Sequence, residues 1–452
     1  MRLVCPSRFA KPAPEVPFGR DGPVETFAPA SAQNLQFAGR YLGNICTFDG
    51  TPFFSRSGRE WVCSCTGQAF SPDYAAAAPS SGQSLPPPMV HGASPLPDLA
   101  FLYGEMKHYS SSTFGSFFPV IEPSLFERNS SGRACIYLLI ALTALVQYFR
   151  EARRHLPGLF EEPTFLNGLQ ALLLVCLCSQ GLTGDFYTVD HLLSAASRVV
   201  FSLKAHFNYH ARKLFCIVYV CDKGLGLVTD LPLRLDDAQC DLTAAMRNFT
   251  QSSTQQARRE LYSVNDLRQS DAELLRTIRD LDHELEFWKE SLDTIDQPSL
   301  FSIFYLQYHH CMVMIHQASS NCVSWIQDQD TQEAGSSPSI SVTASSSVLH
   351  QFQSSRLDLG PENLLFPISS FIQAIIVLFY NILYNPNAIY SDHYLELISS
   401  VPILLEQHRI QEGPPCYTTK INAAAKIILE LERLAKCAIE KSSMSIEELS
   451  TG

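Results

Sequence analysis

The sequence predicts an all-α protein, a large helical body behind a disordered N-terminal leader and two low-complexity linkers. Three observations carry that expectation. From about Leu99 onward, apolar residues recur every three or four positions in long stretches, the spacing that places them on one face of a helix. Strand-type alternation bounded by turn residues is hard to find over the same span. Helix punctuation closes several of the stretches: Gly181 and Gly184 follow one, Pro232 closes a loop, and Asn385-Pro386 ends another.

Taken in order, residues 1–38 are rich in Pro, Ala and Gly without periodicity and read as a leader that cannot hold a core. Residues 39–70 form a short segment in which turn signals at Asp49-Gly50 and Ser57-Gly58 separate aromatic runs, the mark of a small hairpin-like or irregular module packed on a larger body. Residues 71–98, with AAAAPSSGQSLPPP inside them, are a Pro/Ser/Ala linker. The first part of the helical domain occupies 99–327, with helices over Cys135 to His155, Thr164 to Leu182, Phe186 to Phe207, His210 to Lys223, Ser270 to Leu292 and Ser299 to Ser319. Residues 328–348 contain GSSPSISVTASSS and read as a Ser-rich flexible insertion. The C-terminal part, 349–442, carries helices over Ser369 to Tyr384, Ser391 to Gln407 and Thr418 to Lys441, and 443–452 reads as a tail. Between Leu261 and Leu292 the apolar residues Leu275, Ile278, Leu281, Leu285, Trp288 and Leu292 form a stripe, broken after Leu267. That break favours a helix docked on its own core over a dimerising coiled coil.

Composition narrows the function classes. With 452 residues, 46% of them hydrophobic, the chain can bury a sizeable core, which excludes a wholly disordered or collagenous protein. Lys plus Arg is 33 against 45 for Asp plus Glu, a net charge of −12, so the surface as a whole is no electrostatic match for a phosphate backbone. No apolar run near the N-terminus has the length of a secretory signal. The stretches around Ile136 to Val146, Leu169 to Cys178 and Phe371 to Leu383 are shorter than the roughly 20 residues that span a bilayer. They read as buried helices, and no membrane partner is expected. Among 14 cysteines, Cys135, Cys176, Cys178 and Cys216 lie within apolar runs, as reduced core thiols do.

A search for chemistry finds little. No two cysteines show Cys-x2-Cys spacing; Cys63-x-Cys65 is too short to grip a metal alone, and Cys176-x-Cys178 falls on different faces of a helix. His283-Glu284 begins like a metalloprotease helix, but Phe287 stands where the second histidine belongs. His309, His310 and His316 share one helix and read as satisfied or exposed side chains. Gly224-x-Gly226 follows a helix and is completed by Thr229, so it is not a dinucleotide fingerprint. Asp236 and Asp237 read as a solvated loop or a helix N-terminus, and Arg150, Arg153, Arg154 and His155 as cations at a helix end. The expectation is therefore no catalytic, cofactor-binding or metal-binding residue, and no enzyme.

Several separated motifs resemble the regulatory region of fungal zinc-cluster transcription factors, whose DNA-binding module is a binuclear Zn2Cys6 motif. Gly39-Arg40-Tyr41-Leu42-Gly43, Pro52-Phe53-Phe54-Ser55, Gly58-Arg59-Glu60-Trp61 and Thr66-Gly67 resemble the short segment preceding the regulatory domain in one branch of that family. His108-Tyr109 and Phe118-Pro119-Val120-Ile121 are similar to its opening. The strongest match runs from Leu214 through Phe215, Tyr219, Asp222 and Lys223 to Pro232 and Leu235-Asp236-Asp237. There a family Gly-Arg pair before the proline is replaced by Asp230-Leu231, which removes a glycine able to take positive φ. Trp288, within Leu281 to Trp288, Tyr308-His309-His310, His316, and Phe379 to Asn385-Pro386 also follow the family pattern.

The resemblance implies a transcription regulator, located in the nucleus, that controls genes of a metabolic or secondary-metabolite pathway through its helical domain. It also implies six cysteines ahead of these motifs. Only Cys5 precedes Gly39, so the expectation is a chain without its own zinc and DNA-reading module, which reaches DNA through a partner or a missing module. Partners of the transcription machinery, a DNA-binding co-regulator and a small-molecule effector fit that picture. The contrasting expectation is a helical ligand-binding protein or enzyme with an apolar pocket built near Phe215, Tyr219, Tyr308 and His316.

Overall fold

The computed structural model describes residues 34–45, 51–71, 97–121, 130–143, 149, 152, 155, 157, 166–204, 209–229, 231–236, 261, 270–292, 298–322, 336–354, 365, 367–407 and 415–451. The chain is all-α apart from one small sheet. Three strands, β1 (Asn34–Phe37), β2 (Arg40–Ile45) and β3 (Pro52–Phe54), pair antiparallel in the order β1-β2-β3. They lead into α1 (Arg56–Thr66). Then come α2 (Leu99–Ser111), α3 (Thr113–Phe117), α4 (Ser130–Thr143), α5 (Leu166–Cys178) with a π-helical turn over Ser179–Thr183, α6 (Phe186–Ser202) and α7 (Tyr209–Thr229). After these follow α8 (Asp271–Leu292), α9 (Pro298–Gln317), α10 (Ser337–Gln353), α11 (Ile368–Tyr384), α12 (Ser391–Gln407) and α13 (Pro415–Thr451).

Local chemistry sets several helix starts. Ser55 Oγ accepts from Gly58 N–H, Asp98 accepts from Phe101 N–H, Asp185 from Thr188 N–H and Ser336 from Ser339 N–H, each satisfying a donor that the first helical turn leaves unpaired. At α8, Ser270 and Glu273 form a reciprocal capping box, with Glu273 Oε2 accepting from Ser270 N–H at 2.9 Å.

Two apolar cores organise these elements. The first gathers side chains from Leu102 to Leu235, and the second those from Leu35 to Phe70 together with Leu261 to Ala438. Each is wrapped around one helix that is apolar on every side. In the first, α5 is buried at every position from Asn167 to Cys178; in the second, α11 is buried at every position from Phe371 to Leu383. A helix without a polar face has to be enclosed, and α4, α6 and α7 close around α5 while α10, α12 and α13 close around α11. The segment Leu166–Thr183 is apolar and long enough to cross a membrane by composition, but 89% of it is buried inside the protein. The sheet and α1 join the second core although 97–236 intervenes in sequence, because β1 and α1 pack on α11 and α1 also on α13.

Several expected boundaries are corrected. The leader expected over 1–38 includes β1 from Asn34. The Ser-rich insertion expected over 328–348 is, from Ser337 onward, a buried helix: Ser345 Oγ donates to Ser341 C=O at 2.8 Å and Thr343 Oγ1 to Ser339 C=O at 3.0 Å. Hydroxyls that bond back to the preceding turn lose their polarity to the helix, and Val342, Val348, Leu349 and Phe352 then supply a buried stripe. The tail expected over 443–452 is helical to Thr451 as the end of α13. Of the helix expected from Cys135 to His155, Cys135 to Thr143 forms part of α4, and most of 144–154 lies outside the described residues. In α8 the buried positions Leu274, Ile278, Leu281, Leu285 and Trp288 make a docked face, and 262–269 lie outside the described residues. So do 72–96, the bulk of the first linker.

The N-terminal module depends on one close approach. A Cβ added to Gly58 would stand 2.1 Å from Leu42 C=O, so α1 can lie on β2 only with glycine there. Gly58→Ala is expected to lower the melting temperature and to raise amide hydrogen exchange in 34–71 while exchange in α5 stays unchanged.

Candidate functional site

The sequence motifs before and after the helical body meet in space. Tyr380 of α11 is fully buried at the centre of an aromatic group, its ring 6.3 Å from Phe54, 6.2 Å from Trp61 and 6.4 Å from Phe37. Arg40 lies over Trp61 at 5.3 Å, a cation–π contact at the rim. Gly39 (φ 74) completes the two-residue turn between β1 and β2, Gly43 lets Phe53 C=O approach β2, and Gly67 (φ 72) closes α1 with its N–H on Cys63 C=O. Ser55 Oγ also donates to Leu42 C=O at 3.1 Å, and buried Thr66 Oγ1 donates to Val62 C=O at 2.9 Å.

Behind this module, α13 holds the chain with residues that carried no sequence signal. Glu430 accepts from Ser71 N–H at 2.7 Å, Arg433 donates to Ala69 C=O at 2.9 Å, and Lys441 donates to Ser64 C=O at 2.7 Å. Burial alone would raise the Glu430 carboxyl; the Arg433 fork and the Ser71 N–H together hold it below the usual range. Just beyond Tyr380, at the C-terminal end of α11, Asn385 N–H bonds Asn381 C=O, Ser391 Oγ donates to Asn385 C=O at 2.8 Å, and Pro386 follows in the turn to α12.

The strongest sequence motif is a buried ionic latch. Asp222 and Lys223, both within 1% of complete burial, sit near the end of α7. Asp222 accepts from the N–H groups of Arg234 and Leu235, each at 3.0 Å, and from Arg234 Nη1 at 2.9 Å. Arg234 also pairs with Asp190 and donates through Nε to Ser194 Oγ at 2.8 Å, which ties the loop to α6. Lys223 donates to Leu235 C=O and lies over the Tyr219 ring at 4.7 Å. Phe215 packs one turn before Tyr219, ring to ring at 6.4 Å, and Pro232 is exposed at the tip of the loop. Asp230, which stands where the family glycine would be, lies outside the described residues, and Leu231 has no positive φ. Among the described non-glycine residues, positive φ occurs at Ala38 and Lys204 alone.

A third cluster borders an open cleft of about 370 Å³ between α8, α9 and α10. Lys289 comes from α8, Tyr308, His309 and Met312 from α9, and Ser339, Ile340, Thr343 and Ala344 from one face of α10. Tyr308 donates its O–H to Glu286, and burial, together with that carboxylate, raises the phenol well above its ordinary pKa. Lys289 Nζ stands 3.4 Å from both Glu286 and Tyr308 Oη. His309 is buried, and its Nε2 has no hydrogen-bond partner; the same holds for His310 beside it. Burial, and for His309 also the Lys289 charge, push both imidazoles down to about 4, so both are neutral near pH 7. The expectation that these two histidines are satisfied or exposed is therefore corrected. His316, by contrast, bonds Ser337 Oγ at 3.2 Å and Asp282 at 3.4 Å, and Trp288 packs edge-on to Phe304.

One expected juxtaposition does not form. Phe215 and Tyr219 belong to the first core, and Tyr308, on the same helix as His316, to the second, so they do not line a common pocket. Among the described residues no three His, Cys, Asp or Glu side chains group as metal ligands. Cys135, Cys176, Cys178 and Cys221 are free thiols whose pKa values burial raises, which makes them poor nucleophiles. His283 is exposed, and Arg150, Arg153, Arg154 and Asp237 lie outside the described residues.

Comparison with characterised proteins gives partial likenesses. The chain is 26% identical over 225 residues to the ABC-transporter-regulating transcription factor of Aspergillus oryzae, and 26% identical over 226 residues to the protein of the same name from Aspergillus fumigatus. In both cases the match takes in 39% of this chain and 25% of the relative, so it spans about a quarter of the length of these curated relatives. No family model matches the chain, and no solved structure matches it.

Two outcomes follow from the geometry. Asp222→Ala leaves two backbone N–H groups and Arg234 Nη1 without their acceptor, while Asp190 still pairs with the guanidinium, and is expected to destabilise the chain by about 3 kcal/mol in denaturant titration. As pH falls below about 6.5, the unfolded chain protonates His309 and His310 while the folded chain resists until about 4. Stability is therefore expected to decline across that window, by up to about 3 kcal/mol per histidine. The His310→Gln variant is expected to flatten the fall in melting temperature between pH 7 and pH 5.

Proposed function

We propose that this chain is a nuclear regulator of transcription that acts through its helical body and not as an enzyme. The observation that carries the reading is the match to two fungal transcription factors, in a chain whose separately quoted motifs resemble the zinc-cluster regulatory region. The structure is consistent with that reading in one specific way. Motifs far apart in sequence, Phe54 and Trp61 on one side and Tyr380 on the other, share a single aromatic cluster. Asp222, Lys223 and Leu235 likewise share a single latch.

The name of the two relatives makes transporter genes the first targets to examine, beside the metabolic or secondary-metabolite genes that the sequence resemblance implies. Contact with DNA is made through a DNA-binding partner or a zinc module outside these 452 residues. The net charge of −12 supports that division of labour, since binding to a duplex needs Lys and Arg set against phosphates.

Chromatin immunoprecipitation of the tagged chain in its native cells tests the reading. Discrete promoter peaks are expected; no enrichment above an untagged control would refute a role at promoters. The purified chain is expected to bind duplex DNA weakly and without sequence preference in a mobility-shift titration. Tight, sequence-selective binding by the chain alone would overturn the assignment of DNA contact to a partner or separate module.

A further inference from the structure

The geometry points to a binding site for one late first-row divalent metal ion, of the zinc, nickel or copper kind, on His350 of α10 and His393 of α12. The two rings lie 5.3 Å apart, centre to centre, with 28° between their planes. Nothing in the spacing of either helix announces the pair, because the two residues are far apart in sequence. His350 is exposed and His393 half-buried, so both are open to solvent. Among the described residues neither imidazole has a hydrogen bond or an ion pair. Their contacts are to each other and, for His393, to the Tyr394 ring at 6.0 Å.

The class of ion follows from the ligands. Neutral imidazole suits zinc, nickel and copper, whereas magnesium and calcium take oxygen. A bound zinc lies about 2.0–2.1 Å from its imidazole nitrogen, so ring centres 5.3 Å apart are within the span of one ion between them. Lone pairs lie in the ring planes, and planes that are nearly parallel do not converge as they stand. A turn of the exposed His350 ring about its Cβ–Cγ bond, a torsion with broad preferences, brings one lone pair toward the ion held by His393.

The surroundings favour a cation. α10 and α12 carry Asp392, Glu396 and Glu406 between them and no Lys or Arg, so neither helix sets a positive charge against the ion. One turn beyond His350, Gln353 Nε2 donates to Ser400 Oγ of α12 at 2.8 Å, which fixes the register of the two helices and with it the spacing of the imidazoles. Two protein ligands leave the remaining coordination positions to water. The ion then clips together two helices that pack on each other and on α11.

The purified full chain, freed of metal by a chelator, is titrated with nickel chloride by calorimetry at pH 7.4. Saturable one-to-one binding is expected, with a rise in melting temperature that magnesium chloride at the same concentration does not give. His350→Gln and His393→Gln are each expected to weaken nickel binding by at least about tenfold, since loss of a group that merely supports a ligand already costs about 10–100-fold. His283→Gln, at an exposed histidine of α8, is expected to leave binding unchanged. Nickel added to the unmodified, histidine-labelled chain is expected to broaden two imidazole signals before the others, which tests the site without a substitution. Cobalt in place of nickel reports the donor atoms, and its spectrum is expected to lack the thiolate charge-transfer band that binding at the partly exposed Cys63, Cys65 or Cys437 gives. Absence of saturable binding, undiminished binding by either folded variant at His350 or His393, a thiolate band that saturates with the same single equivalent, or an equal rise with magnesium overturns the proposal. Melting curves without metal establish that the variants are folded, and failure of these titrations leaves the chromatin experiment unaffected.

Discussion

Enclosure of two helices that have no polar face is the constraint on which the rest of the architecture depends. A helix such as α5 or α11 gains by burial on every side, and a fully buried Leu, Val or Phe contributes about 1.5–3 kcal/mol relative to exposure. Neither helix can lie at a surface without forfeiting much of that gain. Each therefore recruits neighbours with one apolar face, and two cores result where a single helical domain was expected. The recruitment overrides sequence order. The sheet and α1 complete the second core although the whole first core is inserted between them and α8.

Polar groups then decide how the loops and termini are held. Asp222 and Arg234 fasten the segment after α7 to α6, and Glu430 and Arg433 fasten the end of the N-terminal module to α13. Both pairs work the same way, with a buried or half-buried carboxylate accepting backbone N–H groups while an arginine neutralises it. Such pairs are costly to break and add little beyond what well-packed apolar residues would give, so their value lies in fixing one geometry. Apolar contacts at the ends of α7 and α13 would tolerate sliding; a carboxylate with three fixed donors does not.

Most of the helical body was legible in the sequence, and the reasons it was or was not are physical. Amphipathic stretches such as Ser270 to Leu292 announce themselves by spacing. The helix α10 did not, because composition hid it. Six serines and a threonine mask a buried stripe of Val342, Val348, Leu349 and Phe352, and nothing in a residue count shows that hydroxyls bond back along the helix. The latch was half legible. Asp222, Lys223 and Pro232 stood out as a motif, whereas Arg234, Asp190 and Ser194 gave no signal, since their role depends on a loop folding back across twelve residues. Tyr380 was visible within its own run, but its place at the centre of a cluster with Phe54 and Trp61 follows only from the packing of α1 on α11. His309 was noticed and assigned to the wrong class, because a sequence shows how many polar neighbours a histidine has along the chain and not how many in space.

The cleft and the aromatic cluster are joined by a continuous line of packed elements, with α10 in the middle. Its N-terminal half faces α9 with small polar residues and is anchored by the Ser336 cap and by the His316 to Ser337 bond. Its C-terminal half is anchored by apolar contact, with Phe352 stacked on Phe371 at 4.3 Å. Both halves are seated in the core, the first through buried Ser337, Ser341, Val342 and Ala344 and the second through Val348, Leu349 and Phe352. From α10 the line reaches α11, and α11 carries the Tyr380 platform on which the N-terminal module sits. Contact alone does not make such a line a pathway; that takes an element with two arrangements of similar energy.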